Sequence, residues 1–309
     1  MSLPAAAGIE GSPWLQVEVR VGGIVAHAQT LIDVSTAGLR PADVHALRVA
    51  CKRLRALWRM LEPGFGPGVT RPAERALRDA ARELAGQRQA WVLVKSLESL
   101  QHKADRRQDR VLAADLAGRL TEALGAEAAV ATPGPLLRGV FGQQLPALAA
   151  LPGGPPSVED LLAGILHGAQ RARKLGRRAG RRGEAVLWHR CRRWVKYEHY
   201  QLELALRPNG VLRQRHRRLE RLGVLLGRHQ DGYDLERQLG GGEMAATLPA
   251  PAAAALAAWR ADRDTGRLLK CVRRRQQRLL RRIEKRFEVL YDGGRGGFEA
   301  ALRAALVRT

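Results

Sequence analysis

Five residues within Val44–Glu62, VHALRVACKRLRALWRMLE, constrain this chain more than anything else in it: His45, Arg48, Lys52, Arg55 and Arg59. They follow one another at gaps of three, four, three and four, which on a helix confines them to a strip roughly 80° wide. Leu47, Leu54, Leu57, Trp58 and Leu61 fall on the other side within about 100°, as a core-facing stripe does. The stretch is therefore a two-faced helix with a cationic ridge. Pro41 ahead of it, Asp43 as its N-cap and Pro63-Gly64 behind it mark its ends. The ridge carries no carboxylate of its own, whereas solvated faces usually mix signs through Glu and Lys pairs four apart. Like charges this close repel, so the pattern points to an anion lying across them.

Charge supports the same direction. The 309 residues carry a formal +23 and a pI near 11.4, which favours polyanionic partners: nucleic acid, anionic lipid or polyphosphate. Of the 53 basic residues 46 are arginine, whose planar fork suits paired phosphate oxygens, although GC-rich coding contributes to such a bias. Hydrophobic content of 45% is enough for one large domain or two smaller ones. Cys51, Cys191 and Cys271 are scattered, with no CxxC or Cys/His spacing, and read as core fillers. The N-terminal segment lacks the basic start and apolar run of a signal peptide, and no window approaches a membrane span. The expectation is a soluble, reduced, cytoplasmic protein.

Along the chain, residues 1–22 read as a tail, with Val17–Val21 as an alternative short strand. Ile24–Thr36 then shows helical spacing. Pro72–Ser99 reads as one long helix with Arg75, Arg78 and Arg82 on a second basic strip, and Asp105–Leu124 as another, ended by Gly125. Pro/Gly-rich loops at 131–135 and 151–156 separate a first half, 23–150, from a second, 151–309. Ser157 and Asp160 form a capping-box variant opening a helix on which Arg171, Lys174, Arg177 and Arg178 share a side. Leu187–Arg207 and Leu268–Tyr291 are further helices, the latter with Arg274 and Arg278 on its basic side.

The helix at Leu187 repeats the opening pattern. His189, Arg192, Lys196 and His199 match His45, Arg48, Lys52 and Arg55 at an offset of 144, and LGRHQDGYDL from Leu226 matches LAGQRQAWVL from Leu84 at 142. Nearly one offset at two places indicates duplication. The expected fold is all-α: two pseudo-symmetric antiparallel four-helix bundles, one per half, around a basic central cavity or groove. The halves carry +5 and +18.

No GxSxG, GxxxxGK[ST] or HExxH occurs, and the histidines are not joined by Cys, Asp or Glu at metal-ligand spacing. The sequence thus gives no catalytic residues, no metal site and no cofactor. Glu203 stands where Arg59 does in the first copy, which makes it an internal partner for arginine, and Glu198 lies on the apolar side of its helix, which suggests a buried ion pair.

VHALRVACKRLRALWRML resembles the H-x-x-R-x-x-x-[KR]-R-L-R signature of the CHAD (conserved histidine α-helical) domain, WHRCRRWVKYEHYQLEL resembles its second copy, and LGRHQDGYDL resembles its LGxxxD element. The resemblance implies two four-helix bundles and non-enzymatic binding of inorganic polyphosphate, commonly at bacterial polyphosphate granules. It carries over His45, Arg48, Lys52, Arg53 and Arg55, with His189, Arg192 and Lys196 in the second copy. Tyr197 and His199 stand where the pattern has Arg, and Gln89 replaces an acid that Asp231 keeps. The ExExK motif of the CYTH triphosphate domain often fused to this family is absent from the sequence. With the neighbouring basic residues Arg59, Arg78, Arg82, Arg171, Lys174, Arg178, Arg193, His199, Arg274 and Arg278, these make the candidate polyphosphate site. A nucleic-acid-binding helical protein is the alternative, disfavoured by an aromatic content of only 5%.

Overall fold

The computed structural model describes residues 12–34, 38–84, 88–125, 134–206, 210–241, 248–292 and 295–307. Most of the N-terminal tail, residues 85–87 of the LAGQRQAWVL element, part of the loop at 131–135 and the side chain of Gln89 lie outside them. Among the described residues the chain is all-α, with no strand: α1 (Pro13–Asp33), α2 (Pro41–Glu83), α3 (Arg88–Lys103), α4 (Arg107–Leu124), α5 (Gly134–Gly142), α6 (Gln144–Ala149), α7 (Val158–Arg182), α8 (Ala185–Ala205), α9 (Gly210–Leu239), α10 (Ala250–Asp262), α11 (Thr265–Tyr291) and α12 (Arg295–Val307). No described helix is long and apolar enough to cross a membrane.

The strand-or-tail reading of the N-terminus is corrected from residue 13 onward. Ser12 caps α1, and Trp14, Val17, Val21, Ile24, Val25, Ala28 and Ile32 are buried at helical spacing. Val17 and Val21 are four apart, so the alternation in VEVRV fits a helix face as well as a strand face. The same helix sends Arg20 to the end of α8. Its Nη1 donates to the carbonyls of Glu203 (3.1 Å), Leu204 (2.6 Å) and Leu206 (3.1 Å), acceptors that a helix C-terminus leaves unmet.

The basic-ridged helix does not stop at Pro63-Gly64. It turns at Gly66, whose φ of 77° is the left-handed value that glycine adopts without strain, and Pro67 restarts it. Side-chain pairings then join Arg48 to the Ala81 carbonyl, Arg55 to Glu74 and Arg71 to Glu62, so the second arm of α2 runs back along the first. The N-cap is Arg40 rather than Asp43. Asp43 instead pairs with Arg40 at 2.7 Å in the first turn, where the helix dipole also favours a carboxylate.

Glycine places α7. The Ser157–Asp160 capping box starts this helix as the sequence suggests, and Gly183 ends it in the left-handed conformation, φ 65°. On its buried side a methyl at Gly164 would overlap the Met60 carbonyl oxygen of α2, and one at Gly176 would overlap the Phe287 ring. Both contacts are backbone-close because there is no side chain in the way.

The chain divides into two compact units, and they are not its sequence halves. The first unit takes residues up to 84, 129–223 and from 286 onward; the second takes 85–128 and 224–285. The expectation of one bundle per half, split at 150/151, therefore differs from how the chain packs. The two helices that share the basic spacing, α2 and α8, pack against each other in the first unit. In the second unit α3 and α4 share a core with the end of α9, α10 and α11, through Leu97, Leu116, Leu120, Leu235, Leu256, Trp259 and Leu268. There Trp259 Nε1 donates to Asp115 at 2.9 Å.

Gly164→Ala should destabilise the protein by about 1–3 kcal/mol, the usual cost of overpacking, whereas Gly118→Ala, on α4 with open space around it, should be neutral or slightly stabilising. Chemical denaturation of the two variants checks the pair.

Candidate anion-binding site

The candidate residues of the first unit sit on three mutually packed helices, α2, α7 and α8. On α2, Arg48, Lys52, Arg53, Arg55 and Arg59 are half-buried and His45 is exposed at the start. On α8, His189, Arg192 and Lys196 are half-buried and Arg193 is exposed, while Arg171, Lys174 and Arg178 project from α7 into solvent.

Where α2 meets α8, the floor is aromatic. Ala56 packs against Tyr197 and Tyr200, with Trp194 alongside, and Gln201 Nε2 donates to the Ala56 carbonyl at 3.1 Å. Cations from both copies lie over these rings. The Arg53 guanidinium is 5.8 Å and Lys196 Nζ 5.5 Å from the centre of Tyr200, Arg55 is 6.0 Å from Tyr197, and Arg171 of α7 is 5.5 Å from Trp194. A ring face attracts a cation without neutralising it, so positive charge is held here at high density. Lys196 registers the consequence: burial, and then the charges of Arg192 and Arg53, push its ammonium below the usual lysine range even though Glu203 and Glu220 pull the other way. Burial pushes the Tyr197 and Tyr200 hydroxyls up.

The ridge is not free of acid once the chain is folded, which corrects the sequence reading. Glu74, buried in the returning arm of α2, accepts from Arg55 at 2.8 and 2.6 Å and from Arg59 at 3.2 Å. Glu62 takes the other Arg59 nitrogen at 2.7 Å. Arg53 lies 3.4 Å from Glu203, which realises the internal arginine partner expected for that glutamate. Arg78 and Arg82 share the exposed Asp79. Arg274 and Arg278 belong to the second unit, where they pair with Asp109 at 2.9 Å and Asp105 at 2.7 Å. Among the described residues, no carboxylate lies within ion-pair distance of Arg171, Lys174, Arg178, Arg192, Arg193 or Lys196. Lys196 and Arg192 therefore stand out: half-buried, close to Arg53, and with the Arg192 and Arg53 Nε atoms buried without hydrogen bonds.

His199 is no part of the cationic surface. It is buried, stacks on His216 of α9 with ring centres 4.3 Å apart, and lies with its Nε2 3.4 Å from Glu203 Oε1. Burial drives its proton affinity down to about 4. His216 Nε2 lies 3.4 Å from the same oxygen. Burial alone would raise the Glu203 carboxyl, but His216, His199 and Arg53 around it outweigh that and hold it below the ordinary range. Sequence reading missed this grouping; the i, i+4 spacing of His199 and Glu203 was the available signal, and His216 comes from a different helix. Glu198 is a buried partner as anticipated, accepting from Arg215 at 2.6 Å and Tyr291 at 2.8 Å. The three cysteines are buried, with Cys51 pushed up to about 12 by burial, so none offers a thiolate.

The CHAD domain family model matches residues 21–240. A crystal structure of the CHAD domain from the plant Ricinus communis superposes with a TM-score of 0.54 at 22% identity, covering 88% of this chain and 96% of that one, and so shares its fold. No curated protein matches.

Glu74→Gln should cost about 1–3 kcal/mol, because it strips a buried partner from two guanidinium groups, while the exposed Asp79→Asn should stay within about 0.5 kcal/mol; denaturant titration separates them. His199 makes the protein acid-sensitive. The unfolded chain takes up this proton near pH 6.5 and the folded one only near 4, so stability present above pH 6.5 is lost as pH falls through that window, by up to about 3 kcal/mol. With chelator present, His199→Gln should flatten that part of the stability profile.

Proposed function

The chain belongs to the CHAD domain family, and from that membership we propose that it binds inorganic polyphosphate, without chemical turnover, on the α2–α7–α8 face of its first unit. The observation that carries the reading is the meeting of Arg53 from α2 and Lys196 from α8 over the Tyr200 ring, with Arg192 near enough to act on Lys196. Burial first, and then the charges of Arg192 and Arg53, lower the proton affinity of Lys196, and an anion laid beside it would favour the charged ammonium. Polyphosphate fits because it offers about one charge per unit along a flexible line and no bases to read. Arginine forks from neighbouring turns can each take one phosphate. Arg171, Lys174, Arg178 and Arg193 extend the same charge into solvent on α7 and α8. We propose further that it acts in the cytoplasm, at polyphosphate granules. Glu62, Glu74 and Glu203 are each engaged by arginine, which supports binding rather than magnesium-assisted phosphoryl transfer.

Calorimetry with sized polyphosphate tests the proposal. The wild type should bind with an affinity that falls steeply with salt, as counterion release requires. Arg192→Ala/Lys196→Ala should lose at least tenfold, at about 1.5–3 kcal/mol for each charged hydrogen bond removed. Absence of binding, or unchanged affinity in the double variant, would sink the reading. Tighter binding of RNA or DNA at physiological salt would replace it, and phosphate release from the pure protein would overturn its non-catalytic part.

A further inference from the structure

The anion reading leaves one cluster unused. Among the described residues, His199, Glu203 and His216 bring one nitrogen or oxygen each to within 4.8 Å of one another. We propose that these three side chains bind a divalent first-row transition ion of the zinc class, clamping α8 to the start of α9 within the first unit. The inference stands apart from polyphosphate binding.

The geometry comes first. His199 and Glu203, four apart, lie on one face of α8, and His216 is delivered by α9. Glu203 Oε1 lies 3.4 Å from the Nε2 atoms of both histidines. A tetrahedral ion with bonds of about 2.0–2.2 Å holds its ligand atoms roughly 3.3–3.5 Å apart, so these separations already match two edges of such a shell. Two imidazoles and one carboxylate suit zinc and its neighbours, whereas magnesium and calcium take oxygen shells.

The second observation is that the cluster does not satisfy itself. The His199 side chain is only 7% exposed, and His216 Nε2 is buried without a hydrogen bond. Both Nε2 atoms approach the carboxylate without a well-aligned hydrogen bond. Buried polar atoms left this way are uncommon and point to something absent. An ion would give His216 Nε2 its partner. Arg53 sits 3.4 Å from the other carboxylate oxygen, Oε2, and leaves Oε1 for the ion.

The stacking defines what must move. An ion lies in the plane of each ring that binds it, and two rings 20° from parallel at 4.3 Å cannot both meet that condition. His216, more exposed at 22%, turns on loading. Arg53 and Lys196 repel the ion, so its affinity falls below that of a closed structural site. Three protein ligands also leave a fourth position for water or an anion oxygen.

Chelator-stripped full-length protein titrated with Co²⁺, followed by the visible absorption of the bound ion and displaced by Zn²⁺, tests the assignment. The expected result is one equivalent per chain. His216→Ala and Glu203→Gln should each weaken binding more than about 100-fold, beyond what loss of an outer partner costs, with far-UV circular dichroism unchanged. His102→Ala, exposed on α3, should change nothing. Glu203→Gln also removes the partner of Arg53; should that variant unfold, the wild type decides by itself, because proton NMR of its Co²⁺ form must show shifted ring signals from two histidines. Absence of stoichiometric uptake, fewer than two such rings, or undiminished binding in His216→Ala would overturn the proposal.

Discussion

Repulsion among half-buried cations is the constraint that the first unit is built to manage. Two copies of a basic helix pack side by side, which buries their apolar stripes but crowds their charged edges. Folding offsets that repulsion in three ways. Arg48 donates to the Ala81 carbonyl. Glu74 and Glu62 neutralise the lower end of the α2 ridge. Tyr197, Tyr200 and Trp194 supply ring faces to Arg55, Arg53 and Arg171. What these leave uncompensated collects at Arg192 and Lys196.

The two helices that share the basic spacing differ along their length. At their first two turns they agree: Arg48 and Lys52 in one, Arg192 and Lys196 in the other. At the next two they part. Arg55 and Arg59 are taken by Glu74 from the returning arm of α2, while their counterparts His199 and Glu203 meet His216 from α9. Each helix thus spends its lower turns on a tie to the segment that follows it. The chemistry of the tie differs, guanidinium on carboxylate in one case and imidazole on carboxylate in the other, which is why Glu203 looks out of place when the two ridges are aligned.

Periodicity made the helices legible, and the shared spacing of basic residues singled out α2 and α8. What periodicity lacks is distance. Pro63-Gly64 read as a stop because proline and glycine end helices, and nothing local shows that Gly66 turns the chain back on itself. Glu74 lies 15 and 19 residues from the arginines it binds, so the ridge looked free of acid. The units escaped for the same reason: a Pro/Gly-rich loop marks a boundary in the chain, but apolar faces choose partners by fit, and equivalent helices fit each other. His199 was read as a cation from its place in the motif, whereas burial beside His216 decides its charge.

Carboxylate pairing also ranks the ridge residues as phosphate ligands. Arg59 gives one terminal nitrogen to Glu62 and the other to Glu74, so an incoming phosphate must displace a carboxylate to reach it. Arg55 commits Nε and one terminal nitrogen to Glu74 alone, which fixes the guanidinium plane and leaves its remaining edge pre-oriented, a saving in the ordering entropy that binding otherwise costs. Lys196 differs from both. It is confined by packing, its Cε close to Gly223, rather than by a counter-charge. A phosphate meeting it gains the Coulomb interaction without first breaking an ion pair, so a half-buried cation outside any ion pair, and not the longest run of arginine, is where affinity should concentrate.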